Sequence, residues 1–158
     1  MDTKELGNLG EKIACEYLVG KGFKILGRNY RISFGEIDII ANKKPALLHK
    51  IFQILNPRWA GLFSGARHIF QKNGSTIHFV EVKTIVQNDG FFPEDRVDYT
   101  KQRKLVNLAR IWLQKNKYRQ HQPYQIDIIG ISVDENAKLV KLHYFPNAVE
   151  DDSFIDSG

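Results

Sequence analysis

Phe79-Val80-Glu81-Val82-Lys83-Thr84, read with Gly35-Glu36-Ile37-Asp38-Ile39-Ile40, decides the fold. Both segments have the β-branched, apolar composition of strands, and both are broken by charge. Strand side chains alternate between faces. Strict alternation puts Val80 and Val82 on one face and Phe79, Glu81 and Lys83 on the other. It puts Ile37 and Ile39 on one face and Glu36, Asp38 and Ile40 on the other. An isolated buried carboxylate is costly, so a strand that keeps one has a partner for it. The bland alternative is an ordinary cross-strand pair of Glu81 and Lys83 on a wet face. Two carboxylates on adjacent strands repel unless a cation lies between them, and oxygen-only ligands favour hard divalent ions such as Mg²⁺ or Mn²⁺.

Working outward, residues 3–20 read as a helix. Asp2 and Glu5 have capping-box spacing. Leu6, Leu9, Ile13, Ala14, Tyr17 and Leu18 recur at helical period, and Gly20 and Gly22 close the helix. Strands are expected over 23–31, 35–41, 76–84, 124–133 and 138–145, with a second helix over 98–116. Ser33-Phe34-Gly35 and Asp134-Glu135-Asn136 supply turns, and 85–97 reads as loop. The order α-β-β-β-α-β-β suggests hairpins plus one helical crossover. That predicts an α/β fold with a mixed central sheet flanked by helices.

Residues 43–73 are too long for a hairpin turn. Leu47, Leu48, Ile51, Phe52 and Leu55 form a helical stripe after Pro45. The segment carries Lys43, Lys44, Lys50, Arg58, Arg67 and Lys72 and no acid. The expectation is an amphipathic, basic helical insertion between the second and third strands. Four roles stand open for it: contact with DNA, contact with a second subunit in a homodimer, contact with a membrane surface, or a cover over the core.

The length of 158 residues suits one domain, assigned to 1–146, with 147–158 as a mobile acidic tail. The formal net charge is +5. The tail holds Glu150, Asp151, Asp152 and Asp156 without a Lys or Arg, which leaves +9 on residues 1–146. Such a body suits a polyanion, nucleic acid above all, or an anionic surface. Cys15 is the sole cysteine, so no internal disulfide forms. No apolar run is long enough for a membrane span, and the opening residues lack the pattern of a signal peptide. The expected location is cytoplasmic.

Five segments, in this order, resemble the PD-(D/E)XK nuclease superfamily, and within it the uncharacterised YraN-like bacterial family. They are Leu9-Gly10-Glu11 with Ala14, Tyr17 and Leu18; Gly22-Phe23 through Asn29-Tyr30-Arg31; Gly35-Glu36-Ile37-Asp38; Phe79 to Thr84; and Lys101-Gln102. The resemblance implies a restriction endonuclease-like α-β-β-β-α-β core and a Mg²⁺- or Mn²⁺-dependent DNA endonuclease, with branched or otherwise structured DNA as a candidate substrate. It carries the metal-ligand role to Asp38, Glu81 and the backbone carbonyl of Val82. It carries the catalytic role to Lys83, with Glu11 from the first helix. Lys101 and Gln102 fall near the apolar face of the second helix, where they either face the site and touch phosphate or water or overhang the core in solvent; Gln102 joins Lys83 and Glu11 in the expected catalytic set. Asp127 either extends the acidic cluster or is a paired core aspartate. The segment 43–73 departs from the family's short hairpin, and Tyr124-Gln125-Ile126-Asp127 lacks an expected arginine-phenylalanine. The rival reading is a nucleic-acid-binding or scaffold protein on the same core, with an idle site.

Overall fold

The computed structural model describes residues 1–43, 75–87 and 99–151. The helical insertion expected over 43–73 lies, but for Lys43, outside the described residues; of the loop expected over 85–97 only 85–87 are described, and β3 runs on through Val86.

Seven elements follow in order: α1 (Thr3–Gly20), β1 (Phe23–Ile32), β2 (Gly35–Lys43), β3 (Thr76–Val86), α2 (Tyr99–Lys115), β4 (Tyr124–Val133) and β5 (Leu139–Val149). The strands form one five-stranded sheet in the order β1-β2-β3-β4-β5. All neighbours are antiparallel except β3 and β4, which run parallel because α2 lies between them. This is the mixed α/β architecture expected of a restriction endonuclease-like core.

α1 starts where its capping box says it should. Glu5 N–H donates to Asp2 Oδ1 at 2.7 Å, and Asp2 N–H donates to Glu5 Oε2 at 3.0 Å. Its buried positions Gly10, Ala14 and Leu18 lie four apart, on the stripe that meets the sheet. The helix ends at Lys21, followed by Gly22 with φ of 82°, a conformation that glycine adopts freely. α2 buries Leu105, Val106, Leu108, Ala109, Trp112 and Leu113.

The sheet separates two apolar cores. On the α2 face, Ile37, Ile40, Ile77, Phe79 and Ile126 pack with the helix, and Trp112 meets Phe79 edge-on. On the α1 face, Ile39, Ala41, Val80, Ile129, Ile131 and Val133 pack with Ala14 and Leu18.

Two expectations change here. Ile37 and Ile39, two residues apart, lie in opposite cores rather than on one face. Alternation fails because β2 leaves its ladder with β3 after the pair Ile39–Val80. On its other side, Asn29 adopts φ of 50° between the pairs Arg28–Ile39 and Tyr30–Ile37. Asp38 sits in that irregular step. The domain boundary also moves. β5 continues through Pro146 to Val149, and Asp151 bonds both Arg110 and Tyr124, so 147–151 belong to the folded body. Proline ends a central strand but is tolerated here because β5 is the sheet edge.

Candidate metal and phosphodiester site

Where β2 parts from β3, a cavity of about 410 Å³ opens beside the start of both helices. Asp38 enters from β2, Glu81, Val82, Lys83 and Thr84 from β3, Lys101 from α2, and Lys4, Gly7, Asn8 and Glu11 from α1. The close approach of α1 has a specific cause. A Cβ on Gly10 would lie 1.7 Å from Thr84 Oγ1, so only glycine lets the helix lie this near β3 and bring Glu11 to the cavity.

Glu81 is the most deeply placed acid of the cavity, 3% exposed. Its Oε1 accepts from Lys83 Nζ at 2.7 Å and faces Lys101 Nζ at 3.2 Å. Its Oε2 is buried without a hydrogen-bond partner. Asp38 Oδ2 accepts the backbone N–H of Val82 at 2.7 Å. Burial pushes the Asp38 carboxyl up to about 7, and the negative charge of Glu81 adds to this. The Val82 N–H pulls the other way, Glu11 adds a smaller upward push, and Lys101 a smaller downward one. The cavity thus holds two carboxylates, Glu81 disfavouring the charge of Asp38 and itself keeping an unsatisfied oxygen. That donor set fits a hard divalent cation. Among the described residues no three of His, Cys, Asp and Glu gather into a self-sufficient metal cage. A Mg²⁺ site does not need one, since such ions commonly take one or two carboxylates and complete their shell with water and phosphate.

Glu11 lines the same cavity, but its carboxylate is held by Asn29 Nδ2 at 2.8 Å and Arg28 at 3.3 Å. Asn29 is also the residue of β1 with φ of 50°, so the same position holds Glu11. Gln102 is not in this cavity. It lines a second one, of about 340 Å³, with Tyr99, Arg103 and the end of β5. Successive helix residues point about 100° apart, and α2 turns Lys101, not Gln102, toward Glu81. Gln102 therefore stands apart from the cavity that Asp38, Glu81 and Lys83 share. The signal that favours Lys101 is a lysine in the first turn of a helix, where the dipole disfavours a cation unless a counter-charge faces it.

Asp127 does not extend the acidic cluster. It is 0% exposed and accepts four hydrogen bonds: His78 Nδ1 at 2.7 Å, Gln125 Nε2 at 2.6 Å, Tyr144 OH at 2.7 Å and Asn147 N–H at 2.9 Å. Burial raises its carboxyl, but these bonds outweigh burial and hold it below the usual aspartate value.

The profile of the Uncharacterised protein family UPF0102 matches residues 10–131, which include Glu11, Asp38, Glu81, Lys83 and Lys101. The chain belongs to the UPF0102 family. A UPF0102 protein of Dictyoglomus turgidum is 33% identical over 148 residues, covering 94% of this chain and 99% of its own. One of Caldanaerobacter subterraneus is 33% identical over 149 residues, covering 94% and 97%. One of Thermodesulfovibrio yellowstonii is 36% identical over 141 residues, covering 89% and 96%. UPF0102 is the YraN-like family, and it is PD-(D/E)XK nuclease-like, as the five sequence segments implied. No helix among the described residues of this UPF0102 chain is long and apolar enough to cross a membrane.

Proposed function

We propose that the protein is a metal-dependent endonuclease that hydrolyses phosphodiester bonds of DNA, with branched or flapped DNA as the class to test first. The observation that supports this most is the division of labour on Glu81. Two ammonium groups approach Oε1, and Oε2, buried and unpaired, is left for a cation beside Asp38. Pure binding of a polyanion does not require buried carboxylates.

Asp38, Glu81 and the Val82 carbonyl are the groups that would hold Mg²⁺ or Mn²⁺. When bound, such an ion supplies Lewis-acid stabilisation of phosphoryl charge and makes water easier to deprotonate. The chain's own residues do the rest. Lys83 reaches the cavity from two positions beyond Glu81, and its ammonium orients the attacking water and screens charge on the phosphorus oxygens. Water oxygen bonds to phosphorus in line, the opposite P–O ester bond breaks, the water gives up a proton and the leaving oxygen gains one. Glu11, fixed by Asn29 and Arg28, adds negative potential at the cavity wall that favours a bound cation. The basic body supplies the wider attraction for the polyanion.

The deciding experiment is a cleavage assay with Mg²⁺ or Mn²⁺ on linear, single-stranded, flapped and four-way DNA, with Asp38→Asn as control. Cleavage in the wild type that vanishes in the variant supports the reading. Metal binding without cleavage of any of them would refute the nuclease and leave a binding protein on a nuclease-like core.

A further inference from the structure

Lys101 is the feature that the assignment of Asp38, Glu81 and Lys83 does not use. It comes from a different element than Lys83, yet both ammonium groups approach the same oxygen, Glu81 Oε1, at 3.2 Å and 2.7 Å. One carboxylate oxygen needs only one of them. Both lysine side chains keep about a third of their surface or less in solvent, 30% for Lys101 and 27% for Lys83, so each is half-sheltered at the cavity.

Counting charge shows what the second lysine is suited to. On the cavity wall Lys4 and Arg31 stand against Glu11 and Glu36, and these four sum to zero. The centre holds Asp38, Glu81, Lys83 and Lys101, and these sum to zero when both acids are ionised. A divalent cation raises the centre to two positive charges. A phosphodiester carries one negative charge at rest and two when an ionised water has added to phosphorus. The centre matches that second state only if Lys101 is part of it.

We infer that Lys101 is a substrate-binding residue, whose ammonium exchanges Glu81 Oε1 for a non-bridging oxygen of a nucleic-acid phosphodiester. This rests on the nuclease reading above and extends it to the recognition of substrate. The exchange leaves Glu81 Oε1 still paired with Lys83 at 2.7 Å, so the buried acid is not stranded when Lys101 moves to a phosphate. Lys83 stays with the attacking water, and Lys101, at the opening of α2, takes the phosphate.

The test measures binding without turnover. A fluorescein-labelled flapped DNA duplex is titrated with protein in Ca²⁺ by fluorescence anisotropy, across a salt series, for the wild type, Lys101→Met, Lys101→Gln and Lys101→Arg. Mn²⁺ affinity is measured without DNA by titration calorimetry. The expected result is a Kd raised about tenfold in Lys101→Met and Lys101→Gln, with the salt slope reduced by about one. Lys101→Arg should restore both, and Mn²⁺ should bind the neutral variants at least as tightly as the wild type. Unchanged Kd and slope in the neutral variants, with a wild type that binds, would overturn the role of Lys101 alone. Loss of Mn²⁺ affinity with DNA binding intact would also overturn it, making the lysine a support of the acidic pair. A wild type that binds neither Mn²⁺ nor DNA would overturn this inference together with the nuclease reading.

Discussion

Asp38 Oδ2 accepts the backbone N–H of Val82 at 2.7 Å, one step beyond the last ladder pair between their strands, Ile39–Val80. A side chain thus continues the connection of β2 to β3 after the backbone ladder has stopped. The same carboxylate that faces the cavity also holds its mouth together. Asp38→Ala should therefore cost stability as well as metal, about 1–3 kcal/mol for the stranded N–H, whereas Asp38→Asn keeps an acceptor. Urea unfolding of the two variants should separate them, with Asn the more stable; equal loss in both would show that the bond to Val82 contributes nothing.

The Asp38 carboxyl also sets a pH dependence. Its proton is held in the folded protein up to about 7, against 3.8 for an unperturbed aspartate. Between those values the folded state binds more protons than the unfolded one, so its stability falls as pH rises. In EDTA, Tm should decline from pH 4 toward pH 7 through this group, and Asp38→Asn should flatten the decline. Added Mg²⁺ should restore Tm at the alkaline end. A Tm that rises in EDTA over that interval in the wild type, relative to Asp38→Asn, would contradict the assignment.

Glu81 and Lys83 should separate metal from chemistry. Glu81→Gln is expected to abolish Mg²⁺ binding in calorimetry while leaving the circular dichroism spectrum unchanged. Lys83→Ala is expected to leave metal affinity within a few-fold and to remove cleavage. Undiminished turnover by Lys83→Ala would make the lysine structural.

Gly10→Ala should be costly for a residue on a helix, where alanine usually helps. The added Cβ would meet Thr84 Oγ1 at 1.7 Å and Thr84 Cβ at 2.9 Å. Overpacking of this kind costs about 1–3 kcal/mol. Combining it with Thr84→Ala should recover only part, because the Cβ contact remains. A neutral or stabilising Gly10→Ala in urea unfolding would show that α1 can shift away from β3 freely.

Asp127 should act on stability alone. Asp127→Ala strands His78 in the core and takes the acceptor from Gln125, Tyr144 and the Asn147 N–H, and removal of one partner from a buried charged pair costs about 3–5 kcal/mol. Because its carboxyl is held below the usual value, the stability it adds is present above pH 4 and is lost as pH falls through the folded pKa. This acid limb lies below the window of Asp38. Full stability of Asp127→Ala at pH 7 would be inconsistent with the four bonds.

The two helices, the sheet and the meeting of Asp38, Glu81 and Lys83 in one cavity were legible because each is written in local sequence. Capping at Asp2 and Glu5, stripes at helical period, and acids that interrupt apolar strands need no tertiary information. What was not legible depends on relations between elements. The choice between Lys101 and Gln102 turns on how Leu105 and Leu108 seat α2 on the sheet. The split of Ile37 from Ile39 turns on the backbone of Asn29, one strand away. The continuation of β5 past Pro146 turns on β5 having no outer neighbour. The four partners of Asp127 come from β3, β4 and β5, and no spacing in the chain announces them.

Lys43 and Thr76 face each other as the pair at one end of the β2–β3 ladder, while Asp38 stands past the other end. The two strands therefore present their free ends side by side, like the stubs of a graft, about 16 Å of strand from Asp38. Whatever length of chain joins them, closure is already enforced by the pairs from Ile39–Val80 to Lys43–Thr76. Doubling the joining segment costs only about 0.6 kcal/mol in closure entropy. A lineage can lengthen, shorten or exchange that segment, and so change what the protein touches, while the acids and lysines keep their positions.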